Sequence, residues 1–438
     1  MSAVSASRGE RVDAHESARG ASWRAEREKL NREKLLTSHV PSTGHDTVID
    51  FLCHRALIGD RKWLGAAVVA ATGVVYGVPS HARRVLKLQP RSQGAINAIG
   101  DDDVLPSTHF KFLRGIDGKN GKVYGLPAWA SGVLCVDCAT DDVRLIGELP
   151  RDVKWQWHGG ALGNDGALYA VPCNAQKVLR VDTTNDAVTF IGDLGDDGAM
   201  KNKWYGGVKD RNGVIWGIPY CSDKVLKITP ETQSVELLDV LDDDGKAMAK
   251  NAFQYHGGVL APDGCIYGFP SHAERVLKID CATGKTSLIG HSLGDQGYKF
   301  GGGCVGGDGN IYAFPSDFRA VLKIDVKTET VSLLGENEPS MLGQLKNKWQ
   351  NGVLARDGLI YGIPCDAPSV LCIDVARQRV FFLGALGDLP DKYQGGFLDQ
   401  VDGVIYAIPE NAPNIMRIIP AGSTPTPPPL AGAEHVVV

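Results

Sequence analysis

The sequence predicts an all-β protein, an eight-bladed β-propeller whose four-stranded blades repeat about every 47 residues. Its 53 glycines and ordinary aromatic content suit short strands joined by tight turns. An aromatic-(Gly/Ala)-x-Pro phrase also recurs eight times, at spacings of 45 to 51 residues, within flanking text that repeats as well. The aromatic residues of this phrase are Tyr76, Tyr124, Tyr169, Trp216, Tyr267, Tyr312, Tyr361 and Tyr406.

Each copy contains four short apolar runs separated by turn residues, most clearly between residues 254 and 290. These runs are GGVL, IYGFP, VLKID and TSLIG, and the turns between them fall at Asp263-Gly264 and Thr283-Gly284. Pro270 ends the second run, since proline cannot donate to a β-ladder. Helical repeats of this length need an amphipathic period that is absent here, so four strands per copy are predicted.

The last copy lacks a fourth strand, which predicts that a strand from the N-terminal side completes the last blade. Residues 392–420 supply three strands before the chain becomes proline-rich. The run RALIGD at 55–60 resembles the fourth strand VTFIGD at 188–193, so we expect it to pair with the last three strands. Such a seam leaves no open sheet edge. The alternative is a seven-bladed ring with one copy set aside.

The repeat divides the chain into a charged extension over residues 1–50, the propeller over 51–420 and a proline-rich tail over 421–438. Ser22 is a potential N-cap for a short helix along WRAEREKLNREKLL. We expect the extension to be partly helical or disordered, as a solvated segment or as a docking helix for a partner. The tail has the composition of a disordered segment. The apolar residues of the potential helix are Trp23, Leu30, Leu35 and Leu36.

Charge and hydropathy exclude several classes of partner. The net charge is −5, from 46 basic and 51 acidic side chains, and the chain has neither a basic cluster nor a long apolar run. We therefore expect no binding to nucleic acid or membrane, and a soluble, cytoplasmic protein because the N-terminus lacks an apolar signal core. The ten cysteines form no disulfide framework. No phosphate-binding or dinucleotide fingerprint is present, and no cofactor is predicted.

The phrase GGV, DG-IYG-P and VLKID resembles the blade pattern of NHL-type and streptogramin-lyase-type propellers over roughly residues 55 to 420. The resemblance implies the propeller fold. It implies no single activity, because this fold hosts substrate-binding domains of ligases, lyases, lactonases and hydrolases. Streptogramin-type lyases use histidine and glutamate on one propeller face, but their motif does not match this chain residue by residue, so no catalytic role is carried over.

One face of the propeller is the candidate functional surface. The segment before each Gly-Gly step and the segment after each proline open on the same side of a blade. The second residue after the proline varies from blade to blade, which is typical both of loop-borne recognition and of an unconstrained surface. As candidate ligand-binding residues these positions are His81, Trp129, Asn174, Cys221, His272, Asp317, Asp366 and Asn411.

Aromatic residues precede the Gly-Gly steps, and Trp157, Tyr205 and Tyr255 are further candidates for ligand contact. The alternative is that these rings wedge between blades as core. Blade 5 combines His256 before the Gly-Gly step with His272 after the proline, and we expect the two to be near neighbours. With His158 in the same position of blade 3, His256 and His272 are the candidate catalytic residues, and Glu274 close by is a further candidate for ligand contact.

Metal sites are not predicted. Residues His81 and His272 belong to opposite blades and cannot chelate one ion together. The acidic stretches at 101–103, 196–197 and 242–244 lack the spacing of a calcium loop, so solvated negative charge is the simpler interpretation and calcium an open alternative.

Three functions remain in competition at this point. The first is a binding or scaffolding module that presents one face to a protein or a small-molecule ligand. The second is a propeller enzyme, a lyase or hydrolase, with a histidine-containing site at the channel mouth. The third is a structural role in an assembly contacted through the N-terminal extension.

Overall fold

The computed structural model describes residues 39–40, 46–250, 252–336 and 345–425, and they form a closed ring of eight antiparallel blades around a central channel. The predicted eight-bladed propeller is confirmed, and the seven-bladed alternative is excluded. Two 3₁₀ turns, at Arg55–Leu57 and Gly195–Ala199, are the helical elements of these described ranges. The helix expected near Trp23 and the tail from residue 426 lie outside the described residues.

The strands are listed here in chain order. Before the first blade come β1 (His39–Val40) and β2 (Val48–Cys53). Blade 1 has β3 (Trp63–Val68), β4 (Val75–Pro79), β5 (Val85–Gln89) and β6 (Ala95–Ile99); blade 2 has β7 (Phe112–Asp117), β8 (Lys122–Pro127), β9 (Val133–Asp137) and β10 (Val143–Ile146). Blade 3 has β11 (Trp157–Leu162), β12 (Leu168–Pro172), β13 (Val178–Asp182) and β14 (Ala187–Ile191); blade 4 has β15 (Trp204–Lys209), β16 (Ile215–Pro219), β17 (Lys224–Thr229) and β18 (Ser234–Asp239).

The remaining blades follow the same plan. Blade 5 has β19 (Tyr255–Leu260), β20 (Cys265–Pro270), β21 (Val276–Asp280) and β22 (Thr286–Ile289); blade 6 has β23 (Phe300–Val305), β24 (Ile311–Pro315), β25 (Val321–Asp325) and β26 (Thr330–Leu334). Blade 7 has β27 (Trp349–Leu354), β28 (Leu359–Pro364), β29 (Val370–Asp374) and β30 (Arg379–Leu383); blade 8 has β31 (Tyr393–Leu398), β32 (Ile405–Pro409) and β33 (Asn414–Ile419), completed by β2 and extended by β1.

Blade 8 is completed by a strand from the N-terminal side, as predicted, but this strand is not the predicted one. Strand β2 pairs with β33, from Val48 opposite Ile419 to Cys53 opposite Asn414. The predicted closing strand at 55–60 is therefore wrong, since residues 55–57 form a 3₁₀ turn. The physical reason is length. Only four residues separate Ile58 from Trp63, too few to cross a four-stranded blade from its outer edge to the next inner strand, whereas nine separate Cys53 from Trp63.

The Gly-Gly step forms a β-bulge in the inner strand. In blade 3 the register shifts between Trp157 and Gly160, and Gly159 adopts a φ of +85°. A Cβ on Gly160 would lie 2.3 Å from the carbonyl oxygen of Tyr169. Glycine is therefore required at the two positions for different reasons. The first has a left-handed backbone conformation, and at the second another strand's backbone approaches too closely for a Cβ. In blade 7 Asn351 replaces the first glycine, at a φ of +60°.

A buried lysine precedes the inner-strand aromatic residue in six blades, with glutamine in the other two. The Nζ of Lys203 donates to the carbonyls of Ala175 in blade 3 and of Met200 in its own loop, at 2.8 and 2.9 Å. Such contacts join neighbouring blades without a carboxylate. Burial lowers the pKa of Lys203 to about 8. The eight residues are Lys62, Lys111, Gln156, Lys203, Gln254, Lys299, Lys348 and Lys392.

The aromatic residue of the repeated phrase has a structural role at the opposite end of the blade. The hydroxyl of Tyr267 donates to Asp263 in the preceding turn at 2.9 Å, and Tyr312 and Asp308 form the same pair at 2.8 Å. The turn aspartate thereby satisfies a buried phenol.

Within the described ranges, none of the helical turns has the length and hydropathy needed to span a bilayer.

Candidate ligand-binding site

The upper face is the one on which each inner strand begins and each second strand ends. Its innermost feature is a ring of eight residues that lie two positions before the inner-strand aromatic residue. All eight have a positive φ between 46° and 55°. We call it the left-handed ring. Its members are Arg61, Phe110, Trp155, Asn202, Phe253, Tyr298, Asn347 and Asp391.

The second ring contains the eight post-proline candidates and is held to the first by its backbone. In every blade the N–H of the post-proline residue donates to the carbonyl of the left-handed residue, as between His272 and Phe253 at 3.1 Å or Cys221 and Asn202 at 2.9 Å. The backbone of this position is therefore fixed while the side chain varies. We call it the post-proline ring.

The side chains of the post-proline ring contact the next blade in two different ways. Polar ones accept a hydrogen bond from the N–H of the next left-handed residue, as Asp317 does from Asn347 at 2.8 Å. Aromatic ones pack against its ring, as His272 does with Tyr298 at 4.6 Å between centroids. The position thus has a structural function that neither sequence interpretation included. The other pairs of these two kinds are Asn174–Asn202, Asp366–Asp391, Asn411–Arg61, His81–Phe110 and Trp129–Trp155.

A cavity of about 120 Å³ lies at the mouth, the opening of the channel on the upper face. One side of it is apolar, with Phe110, Trp155, Tyr205 and Tyr220. The other side carries hydrogen-bonding groups, among them Asp391, Gln394 and Glu410. The remaining residues that line the cavity are Leu64, Leu113, Arg114, His158, Cys173 and Asn202.

The apolar side belongs to an aromatic arc that runs over blades 1 to 6. Its rings form two groups of contacting neighbours, in which Phe110 lies 4.9 Å from Trp155 and Tyr205 lies 5.2 Å from Tyr220. The first group contains His81, His109, Phe110, Trp129 and Trp155, and the second contains His158, Tyr205, Tyr220, Phe253, His256, His272 and Tyr298. The ring of His158 stacks on that of Tyr205 at 3.5 Å, and the ring of His256 packs against Tyr205 at a tilt, with 4.1 Å between centroids. Offset and edge contacts of this kind make a preorganised wall, because each ring is held by its neighbours.

The polar side is formed by Asp391, Gln394 and Glu410, at the entry to blade 8 and within it, and a hydrogen-bonded cluster of blade 7 lies next to it. The Nε2 of Gln394 donates to Glu410 at 2.7 Å, and the Nδ2 of Asn347 donates to Asp366 and Asp391 at 3.2 and 3.1 Å. The pKa of Asp366 is raised to about 6, mainly by burial and secondly by the negative charge of Asp391. The carboxyl groups that line this side of the cavity are those of Asp391 and Glu410.

One group in the described residues has the donor atoms of a metal site. The ligand atoms of Cys365, Asp366 and Asp391 lie within 4.8 Å of one another. The Nδ2 of Asn347 lies within hydrogen-bonding distance of all three and shares its two hydrogens among them, with the Cys365 sulfur at 3.3 Å, and the Cys365 thiol donates to Asp391 at 3.5 Å. The groups of this cluster are joined by hydrogen bonds from the Asn347 amide, the Cys365 thiol and the backbone N–H of Asp391.

The acidic stretches noted in the sequence are engaged in ion pairs. Asp102 pairs with Arg84 at 2.9 Å and Asp243 with Arg275 at 2.7 Å. Asp197 is buried between two lysines, Lys224 at 2.8 Å and Lys250 at 2.9 Å.

The structure separates the candidate residues predicted from the sequence. Of the candidate histidines, His158 lines the cavity, and His256 packs against Tyr205, which also lines it. The ring of His272 contacts Phe253 and Tyr298, which do not line the cavity. His81 stacks on His109 at 4.2 Å, and burial, then the charge of His109, lowers its pKa to about 3.

Three further candidates lie away from the cavity. The rings of Trp157 and Tyr255 are buried in the core between blades. Glu274 is exposed and accepts a hydrogen bond from Ser292 at 2.5 Å. Sequence reasoning missed the left-handed ring, and the signal for it was the lysine or glutamine that follows each member.

No family model matches this sequence, and no curated protein matches it either. Solved propellers do. A streptogramin B lyase structure is 14% identical, with a TM-score of 0.55 over 85% of this chain and 97% of the lyase chain. A catalytically inactive variant of virginiamycin B lyase from Staphylococcus aureus with quinupristin is 13% identical, with a TM-score of 0.52 over 85% and 99% of the two chains. These likenesses confirm the resemblance at the level of architecture and show the fold alone.

Proposed function

We propose that the protein is a small-molecule binding module whose mouth holds an amphipathic ligand, with a planar apolar group on the aromatic arc and a hydrogen-bond donor on the polar side at blade 8. The observation that carries the proposal is the division of one cavity into an aromatic side and a carboxylate-bearing side. Concave apolar pockets with a few convergent polar groups are the usual form of small-molecule sites.

The aromatic side supplies binding energy. A planar group placed between Phe110, Trp155 and Tyr205 removes apolar surface from water and adds ring contacts. Little ordering is needed, because Trp155 already packs against Phe110 and against Trp129, at 4.9 and 5.6 Å. A rigid wall of this kind keeps the entropic cost of binding low.

The polar side supplies orientation. Its carboxylates, Asp391 and Glu410, are hydrogen-bond acceptors and favour a donor group, above all a cationic one. Arg114 is the guanidinium in the same lining, so the balance of charge in the cavity is one positive against two negative groups. A ligand with an ammonium group on a planar ring fits both sides.

A pair of probes tests this proposal directly. Tryptamine carries an indole and an ammonium group, and indole-3-propionate carries the same ring with the opposite charge. We expect tryptamine to bind the full chain with a dissociation constant on the order of 5 mM, and indole-3-propionate at least about fivefold more weakly. Ligand-detected NMR titrations measure both. Equal affinity of the two probes, or no saturable binding of tryptamine, contradicts the proposal.

Matched variants locate the binding. Asparagine already occupies the left-handed ring in two other blades, as Asn202 and Asn347. Replacing Trp155 by asparagine should therefore preserve the backbone conformation. We expect Trp155→Asn to weaken tryptamine binding about tenfold, and the lost contacts with Phe110 and Trp129 to lower the free energy of unfolding by about 1–3 kcal/mol. Phe190→Ala, on exposed strand β14, is the control and leaves affinity unchanged.

A lyase or hydrolase is the second candidate function, and the stack of His158, Tyr205 and His256 at the cavity favours it. A histidine beside a ligand is positioned for general acid–base catalysis. Hydrolysis of p-nitrophenyl acetate tests the hydrolase form: His158→Gln is expected to lower the rate about 100-fold, and His291→Gln, on an exposed loop, to leave it unchanged. Equal rates in these two variants contradict this candidate.

A further inference from the structure

Arg114 is the exception at a position of the inner strand that is otherwise glycine or asparagine. The third residue of the inner strand is glycine in six blades and asparagine in blade 7, whereas blade 2 has an arginine there. The bulge of blade 2 lies one step earlier, between Phe112 and Arg114, and Arg114 pairs with Leu126 across the ladder. It lacks the positive φ of Gly159 in blade 3. Blade 2 is thus built to carry a long side chain at the channel wall.

The guanidinium of Arg114 is an unused charge in the lining of the cavity. The side chain is partly buried and lines the cavity at the mouth. Its guanidinium forms neither a hydrogen bond nor an ion pair with any residue that the structure describes. A guanidinium offers five N–H donors, and a carboxylate accepts two of them in parallel, which makes a strong and oriented pair. Arg114 is therefore available to an anionic group of a ligand.

The charged groups and the aromatic rings follow one another around the channel. Blade 1 lies between blades 8 and 2, since its inner strand β3 contacts both β31 and β7. Arg114 is therefore two blades, a quarter of the ring, from the Glu410 carboxylate, and Leu64 of blade 1 lines the cavity between them. On the other side of Arg114 come Trp155 and Tyr205, at blades 3 and 4. One cavity thus presents an anionic, a cationic and an aromatic wall in that order.

We propose that the ligand is a zwitterionic aromatic amino acid. Its carboxylate binds Arg114, its ammonium group binds Asp391 and Glu410, and its ring lies on the aromatic arc. The inference rests on the proposed function and adds a third contact to it. In an aromatic α-amino acid the three groups extend from one carbon atom, so one small molecule can reach three walls of one cavity. Because three fixed contacts around one carbon distinguish mirror images, the site should prefer one enantiomer.

Fluorine NMR of the full chain labelled with 5-fluorotryptophan tests this inference, because the Trp155 signal reports binding while the added indole ligands contain no fluorine. We expect the preferred enantiomer of tryptophan to bind about fivefold more tightly than tryptamine, and the other enantiomer at least about threefold more weakly than the first. Arg114→Gln should weaken the preferred enantiomer about fivefold and leave tryptamine unchanged. Arg114→Lys keeps the charge and should retain part of the preference. The control Arg151→Gln removes the same charge from an exposed loop and should change nothing.

The outcomes separate this inference from the proposed function. If tryptamine binds but neither enantiomer of tryptophan binds more tightly, the inference is overturned and the binding function stands. The same holds if the two enantiomers bind equally, if Arg114→Gln weakens tryptamine as much as tryptophan, or if Arg151→Gln has the effect of Arg114→Gln. A tryptophan enantiomer that shifts the Trp155 signal when tryptamine does not supports the Arg114 contact and contradicts binding through the ammonium group alone. If no ligand shifts the signal, both proposals are contradicted.

Discussion

The backbone N–H of Asp391 donates a hydrogen bond to Oδ1 of Asp366, 2.7 Å away, across the boundary between blades 7 and 8. The pKa of Asp366 is about 6, chiefly because of burial, whereas an unfolded aspartate titrates near 3.9. Between these values the folded protein binds more protons at Asp366 than the unfolded chain does. This group therefore makes the free energy of unfolding fall as the pH rises from about 4 to 6.

Asp366→Asn removes this dependence, with asparagine already present at the same position in blades 3 and 8. At pH 7.5 we expect the variant to be about 1–2 kcal/mol more stable than the natural chain, since partial exposure screens the charge. At pH 4 the two should be equal. Urea unfolding at both pH values measures the difference, and a difference that is the same at the two pH values contradicts the account.

The buried lysines are expected to carry much of the stability between blades. Lys203→Met leaves the carbonyls of Ala175 and Met200 without their donor, which should cost about 3 kcal/mol in the free energy of unfolding. Lys203→Gln should cost about half as much, because Gln156 already donates to the carbonyl of Ala130 in the same way at 3.1 Å. The control is Lys209→Met, an exposed position in the same blade. If all three variants unfold alike, these contacts do not stabilise the ring.

The seam depends on a buried ion pair. Arg417 is 1% exposed, and its Nε donates to Asp50 on the closing strand at 2.6 Å. Asp50→Ala removes the carboxylate from a buried guanidinium and should lower the free energy of unfolding by about 3–5 kcal/mol. Asp142→Ala removes an exposed partner of Arg144 and should cost less than about 0.5 kcal/mol. Equal losses would indicate that the seam does not limit stability.

The post-proline side chains are expected to protect specific amides of the next blade. Asp317→Ala should raise the hydrogen-exchange rate of the Asn347 amide at least about tenfold, because the Asp317 carboxylate accepts from it at 2.8 Å. Asp317→Asn retains an acceptor oxygen and should leave the rate near that of the natural chain. Exchange followed by mass spectrometry on peptides around residue 347 distinguishes the two. Unchanged exchange in both variants would show that the link is not formed.

The repeat made the fold predictable. Eight copies of one phrase determine strand number, turn positions and blade count, and a missing fourth strand implies closure by the N-terminal side. The exact closing strand was missed because RALIGD resembles the fourth strands of the other blades in composition. Val48–Cys53 instead resembles them in the number of residues that separate the strand from the next inner strand, which here begins at Trp63. The length of the connection between strands was the better guide, since it must cross a whole blade.

The site was only partly predictable. The post-proline candidates share a face as expected, but the left-handed ring carries no common side chain, because its constraint is on φ and is met by Arg61 and Trp155 alike. The cavity also joins Tyr205 of blade 4 to Gln394 of blade 8. No spacing in the sequence brings these two together. Their proximity follows from ring closure, which places inner strands of distant blades around one channel.

The most direct test of ligand binding at the mouth compares the tryptophans of the fluorotryptophan-labelled chain during a tryptamine titration. Trp129 and Trp155 belong to the aromatic arc, whereas five other indoles are buried in the core between blades. We predict saturable shifts of the Trp129 and Trp155 signals with one common midpoint, and no shift of the core signals from Trp63, Trp157, Trp204, Trp216 and Trp349. Signals of Trp129 and Trp155 that stay in place up to saturating tryptamine, or core signals that shift with them, would contradict a binding site at the mouth.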